Sequence, residues 1–137
     1  MGSNGPSWGR RYELQKYALA YWRDKQREAD EAACKYWNLR MGERGPAQPS
    51  PTIGQALHGG FRFLRVGCNG CKQRAWIDLA EVRRPRKTPV WTLEGSLACQ
   101  RCQINKIFRP KTTIERLTRE HGTLGWPLLE SAPDDHL

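Results

Sequence analysis

From residue 8 to residue 41 the apolar positions recur at helical spacing. At 100° per residue, Leu14, Ala18, Tyr21, Trp22, Ala29, Ala32, Ala33, Tyr36 and Leu39 fall within one arc of about 120°, the width of a buried stripe. Glu13, Lys16, Arg23, Asp24, Arg27, Asp30, Glu31, Lys35 and Asn38 take the other side, and Arg27/Glu31 and Glu31/Lys35 are i,i+4 pairs of opposite sign. The pattern predicts one long amphipathic helix stopped by Gly42. Its stripe, with Tyr21, Trp22, Ala29, Ala33 and Tyr36 as the expected contact residues, should dock on a protein partner or on a second copy. Cys34 falls on the polar side and reads as a dispensable, half-exposed thiol.

Next comes "GERGPAQPSPT" (42–52), whose prolines and glycines predict a semi-extended linker over 42–51 that lets the helix swing. Thr52 and Gln55 form a T-x-x-Q capping box, so a short helix is expected over 53–58, ended by Gly59 and Gly60. His58 should then cap that helix's last carbonyls. Residues 61–66 and 74–79 read as two strands. The second alternates cleanly, with Ala75, Ile77 and Leu79 on one face; the first does not, and a bulge is expected there. Thr88-Pro89 predicts a cap and the opening of a short helix closed by Gly95. Residues 97–99 read as a brief strand, with 104–108 as its return partner. A last helix is expected over 113–121, before an acidic tail of little order.

Charge adds a second layer. The chain carries +9 overall over 137 residues, unevenly spread. Residues 1–41 hold eight Lys/Arg against five Asp/Glu, residues 59–111 twelve against three, and residues 112–137 two against five. The positive field therefore sits on one segment, which points to a polyanionic partner there. "RRPRK" (83–87) is the densest run. Arg62, Arg65, Lys72, Arg74, Arg83, Arg84, Arg86, Lys87, Arg101 and Lys106 are the expected nucleic-acid contacts, because arginine suits bidentate phosphate and base-edge recognition. Trp76 and Trp91 could offer stacking surfaces. Together with Phe61 and Phe63, they read better as core in so apolar-poor a segment.

The same segment carries four cysteines in two C-x2-C pairs, Cys68/Cys71 and Cys99/Cys102. Zinc takes four thiolates in a tetrahedron, and each bend can aim two sulfurs at one point. Disulfides would need an oxidising compartment, and a redox pair would need a helix N-terminus. An iron–sulfur centre or another soft-metal use is the remaining alternative. The N-terminal residues show no apolar leader, so a cytoplasmic address with reduced thiols is expected. A mean hydropathy of −0.78 argues for a small core in need of a staple.

The stretches "TIGQALHGGFRFLRVGCNGC", "IDL" and "TPVWTLEGSLACQRC" resemble a group of small, mostly uncharacterised bacterial zinc-ribbon-like proteins, over residues 52–108 alone. That resemblance implies a zinc-bound fold and no particular activity.

No H-E-x-x-H, G-x-S-x-G, phosphate-cradling glycine loop or zinc-deaminase signature occurs, and four thiolates would leave zinc no open position. A non-enzyme is expected. The expectation is an α+β chain with four parts: an amphipathic helix (1–41), a linker (42–51), a four-cysteine zinc-ribbon or treble-clef-like module (52–111), and a short helix with an acidic tail (112–137). Its expected role is that of a zinc-stabilised accessory or regulatory protein binding DNA or RNA. The alternative is a protein–protein adaptor or inhibitor docking on a larger machine.

Overall fold

The computed structural model describes residues 8–99, 110–122, 124 and 128–130. It is an α+β fold: a long N-terminal helix packed on a small antiparallel sheet. Helix α1 (Trp8–Gly42) is followed by α2 (Ile53–His58), β1 (Phe63–Cys68) and β2 (Arg74–Asp78). Two 3-10 turns (Leu79–Glu81 and Val90–Ser96) lead to β3 (Leu97–Cys99), β4 (Thr112–Thr118) and β5 (Leu128–Glu130). The main sheet runs β2-β1-β4, and β3 pairs with β5.

The capping box forms as expected. Thr52 Oγ1 accepts from the Gln55 amide and Gln55 Oε1 accepts from the Thr52 amide, so α2 starts where the sequence places it. Gly59 and Gly60 end it, Gly60 with a φ of +93° that side-chain-bearing residues rarely adopt. Gly59 has another reason to be glycine. A Cβ there would lie 2.9 Å from the Glu31 amide nitrogen, so its absence lets α2 close on the backbone of α1.

That contact corrects the expected orientation of α1. Asp30, Cys34 and Trp37 are buried, at i, i+4 and i+7, and Met41 packs beside them on the core. Cys34 is therefore a core residue, not a half-exposed one. The predicted stripe faces the other way: Leu14, Tyr21, Trp22, Tyr36 and Leu39 are all exposed. Trp37 carries the most weight, because it is the largest fully buried side chain of the core cluster that also holds Ile53, Ala56 and Leu117. His58 joins the two helices, its Nδ1 2.8 Å from Asp30 Oδ2, instead of capping α2.

The segment after α1 is fastened, not free to swing. Trp37 Nε1 donates to Ala47 O (2.8 Å), Arg40 donates to the carbonyls of Pro46 and Pro49, and the Trp91 amide donates to Ser50 Oγ. The Thr88 cap does not form either. Pro89 stands at the start of a 3-10 turn with no side-chain cap.

In the sheet, Leu64, Val66 and Cys68 of β1 face the core with Ala75 and Ile77 of β2 and with Ile114 and Leu117 of β4. The irregularity expected in β1 lies in its pairing with β4. Arg65 stands opposite Arg116 and Val66 opposite Ile114, which leaves Glu115 as the extra residue. Phe63 breaks the alternation of β1 because the outer face is covered there too, by the His121 ring at 4.7 Å.

β4 replaces the helix expected over 113–121. The three-residue step from Ile114 to Leu117 mimics a helical period, but the bulge at Glu115 produces it within a strand. The β-branched Thr112, Thr113 and Ile114 favour that outcome. As an edge strand, β4 has backbone groups to satisfy, and side chains do so. Asn38 Nδ2 donates to Leu117 O and Asn38 Oδ1 accepts from the Leu117 amide, at 2.9 and 2.8 Å, while Glu94 Oε2 accepts from the Ile114 amide. The return strand expected at 104–108 lies outside the described residues.

Candidate metal centre and basic surface

β1 turns into β2 through a bend held by backbone hydrogen bonds. The Cys68 amide donates to Gln73 O and the Lys72 amide to Cys68 O, each at 2.9 Å. Inside the bend, the Gly70 and Cys71 amides point at Cys68 Sγ, at 3.3 and 3.5 Å. Lys72 leaves the bend with a left-handed φ of 65°. The Asn69 amide, donating to Lys111 O, ties the bend to the start of β4, and β3 delivers Cys99 beside it.

The sulfurs of Cys68, Cys71 and Cys99 lie within 4.8 Å of one another, with Cys71 and Cys99 3.8 Å apart. Two thiolates each about 2.3 Å from a tetrahedral zinc are separated by about 3.8 Å, whereas a disulfide needs about 2.05 Å. All three thiols are free. The cluster could hold a metal ion. Cys102, the fourth expected ligand, lies outside the described residues, as do Arg101 and Lys106. Cys34 is buried elsewhere in the core and is not part of the cluster. Burial, and behind it the Asp30 carboxylate, pushes its thiol up to about 12, so it stays protonated.

The expected basic contacts divide into two sets. Arg62 makes a two-pronged ion pair with Asp78, both contacts at 2.8 Å, and this holds the Asp78 carboxyl below its ordinary range. Arg65 and Arg74 share the Glu115 carboxylate, at 2.7 and 3.1 Å. These three guanidiniums are engaged by carboxylates. Lys72 is exposed beside the cysteine bend.

The 83–87 loop differs. The Arg86 and Thr88 carbonyls accept from the Gly54 and Ile53 amides at the start of α2, which fixes the loop backbone. Arg86 donates to Leu79 O, and Arg83, Arg86 and Lys87 are exposed. Among the described residues, Arg83 and Lys87 have no carboxylate partner.

Of the aromatics, Phe61 and Phe63 are buried, and Trp76 and Trp91 are half-buried. Gly122 lies directly on the Trp76 ring, where an added Cβ would come within 2.5 Å. Sequence reasoning missed the groove of about 1240 Å3 between α1 and the outer face of the sheet, lined by Leu39, Phe61, Arg65, Trp76, Arg116 and Arg119, among others. Its residues come from separate segments that no local pattern links. Glu31 on its rim binds Lys35 and Arg119, and both cations lower its pKa.

No helix among the described residues is long and apolar enough to cross a membrane. Comparison of the chain with protein-family models, curated proteins and solved structures finds no match.

Proposed function

We propose that this is a metal-stapled accessory protein that binds nucleic acid, DNA or RNA, through the basic loop at 83–87. The observation that carries the reading is the contrast among the cations. Where Arg62, Arg65 and Arg74 are matched by acids, the 83–87 loop presents the exposed cations Arg83, Arg86 and Lys87 on a backbone fixed by α2. A fixed loop of exposed cations binds phosphates without first having to be ordered. Zinc is the metal proposed for Cys68, Cys71 and Cys99, with Cys102 as the fourth ligand. When bound, it supplies a structural crosslink between the β1–β2 bend and β3, with no open position for catalysis. This reading keeps the proposed kinship with zinc-ribbon-like proteins.

The test is a salt titration of binding to duplex and single-stranded probes. Log affinity should fall linearly with log salt, by roughly 0.9 per phosphate contact on duplex DNA. Replacing Arg83, Arg84, Arg86 and Lys87 with alanine should flatten that slope and leave metal content unchanged. A wild-type protein that binds no probe at low salt defeats the reading, and so does a slope that ignores the four substitutions. The adaptor reading would then stand on a separate observation, the exposed apolar side chains of α1.

A further inference from the structure

The side of α1 that faces away from the sheet carries two rows of positions at seven-residue spacing, five of them apolar and three charged. Ala18, Lys25, Ala32 and Leu39 stand seven apart, and Leu14, Tyr21, Glu28 and Lys35 form the companion series, so the two rows make a seam of the kind that pairs helices. Asp30, Cys34 and Trp37, which dock α1 on its own core, lie roughly 170° round the axis from the C-terminal half of this seam. The seam is open. Leu14, Tyr21 and Leu39 on it are 62%, 55% and 69% exposed, and Trp22 and Tyr36 on its shoulder are exposed as well.

We infer that the partner of this seam is a second copy of the same helix, running antiparallel, so that the protein is a homodimer. The order of residues along the seam is self-complementary in that direction. Pairing the two rows head to tail sets Leu14 against Leu39 of the second copy, Tyr21 against Ala32, and Lys25 against Glu28, and every layer recurs in reverse beyond the two-fold axis. Large side chains meet small ones: Tyr21 lies over Ala32 and Trp22 comes beside Ala29. Ala18 meets Lys35, whose stem can cover the methyl group while its ammonium stays at Glu31, 3.5 Å away.

The centre of the seam decides direction. Lys25 and Glu28 already lie 3.5 Å apart within one helix, and both are about half exposed. Antiparallel pairing brings two such pairs together as a square of alternating charge. Parallel pairing would set Lys25 on Lys25, Glu28 on Glu28 and Tyr21 on Tyr21, which like charge and bulk oppose. In the antiparallel dimer the two cores sit on opposite sides and ends, roughly 21 Å apart along the axis. The pairing stands or falls independently of nucleic-acid binding.

Sedimentation equilibrium of the full chain tests it. The wild type should be a dimer in the micromolar range. Lys25→Glu would set two Glu–Glu contacts at the two-fold axis and should weaken association roughly tenfold or more. Glu28→Lys should do the same with two Lys–Lys contacts. The double variant K25E/E28K keeps the pairing with signs exchanged and should restore the wild-type dissociation constant. All three changes lie on the exposed face of α1, and an unchanged circular dichroism melt of the dilute proteins would show the fold intact. A wild type that stays monomeric at high micromolar concentration overturns the inference and leaves the seam to a different protein. Equal association of the wild type and Lys25→Glu overturns the antiparallel pairing.

Discussion

The two halves of α1 belong to one continuous helix but live in different environments. From residue 10 to residue 29 every side chain is exposed, including Tyr12, Tyr17, Tyr21 and Trp22. From residue 30 onward Asp30, Cys34 and Trp37 are buried to the level of the sheet interior. Helical propensity and ion pairs of the Lys25–Glu28 kind support the first half, at a few tenths of a kcal/mol each. The second half is held by burial and by hydrogen bonds that use the helix as a sheet partner, Asn38 above all. An isolated helix in water is marginal, so the projecting half leans on the docked half for its stability.

Loss of a cluster thiol, or chelation, should have the largest effect on this comparison. If the cysteine cluster staples β1 to β3, Cys68→Ser or a chelator should remove several kcal/mol, more than a small domain can spare. Because Cys34 and Trp37 share one core cluster with Cys68 and Cys99, the docked half of α1 should lose its seat in the same transition. Elemental analysis beside a thermal melt checks this. Absence of bound metal, or a melt indifferent to chelation, would defeat it.

Two tryptophans on α1 give the next contrast. Trp37→Ala empties a buried site and removes the hydrogen bond to Ala47 O, and should cost about 3–5 kcal/mol. Trp22→Ala, on the exposed half, should change the stability of the dilute chain by no more than about 0.5 kcal/mol. Urea melts of the two variants measure the gap. Similar losses in both would mean that the projecting half is covered in the monomer.

Cys34 supplies a smaller effect than Trp37 and a pH signature. Its thiol is held up at about 12 against an ordinary 9.0, so the folded state resists deprotonation more than the unfolded chain does. The stability this contributes is complete below about pH 9 and is lost as pH rises towards about 12. Cys34→Ala should lack that alkaline loss, measured as melting temperature against pH relative to wild type. Cys34→Ser, which places a hydroxyl in the core, should cost about 1–3 kcal/mol at neutral pH. A neutral serine variant would return Cys34 to the exposed position its place on the helical wheel suggests.

Much of this protein is local, and that part was legible in the chain. The Thr52–Gln55 capping box, the α2 boundaries, the Cys68–Cys71 bend and the β1–β2 hairpin follow from interactions a few residues long, which the sequence states directly. Of the four expected ligands Cys68, Cys71 and Cys99 come together, the first two on one local bend and the third brought to it by the fold. The failures share one cause. α1 carries two apolar lines, the broad stripe through Tyr21 and Trp22 and a narrower one through Cys34, Trp37 and Met41. Nothing within the helix ranks the narrow line first; its matching surface is assembled from residues 53–117. β4 read as a helix because its bulge exists only against β1. The arginines at 62, 65 and 74 read as free until folding brought Asp78 and Glu115 beside them. The sequence by itself determined where the chain turns, caps and bends, because those choices are settled among neighbours in sequence. Which face is buried, which edge is paired and which charge is neutralised was decided by tertiary structure alone, because each of those requires a partner from a distant part of the chain.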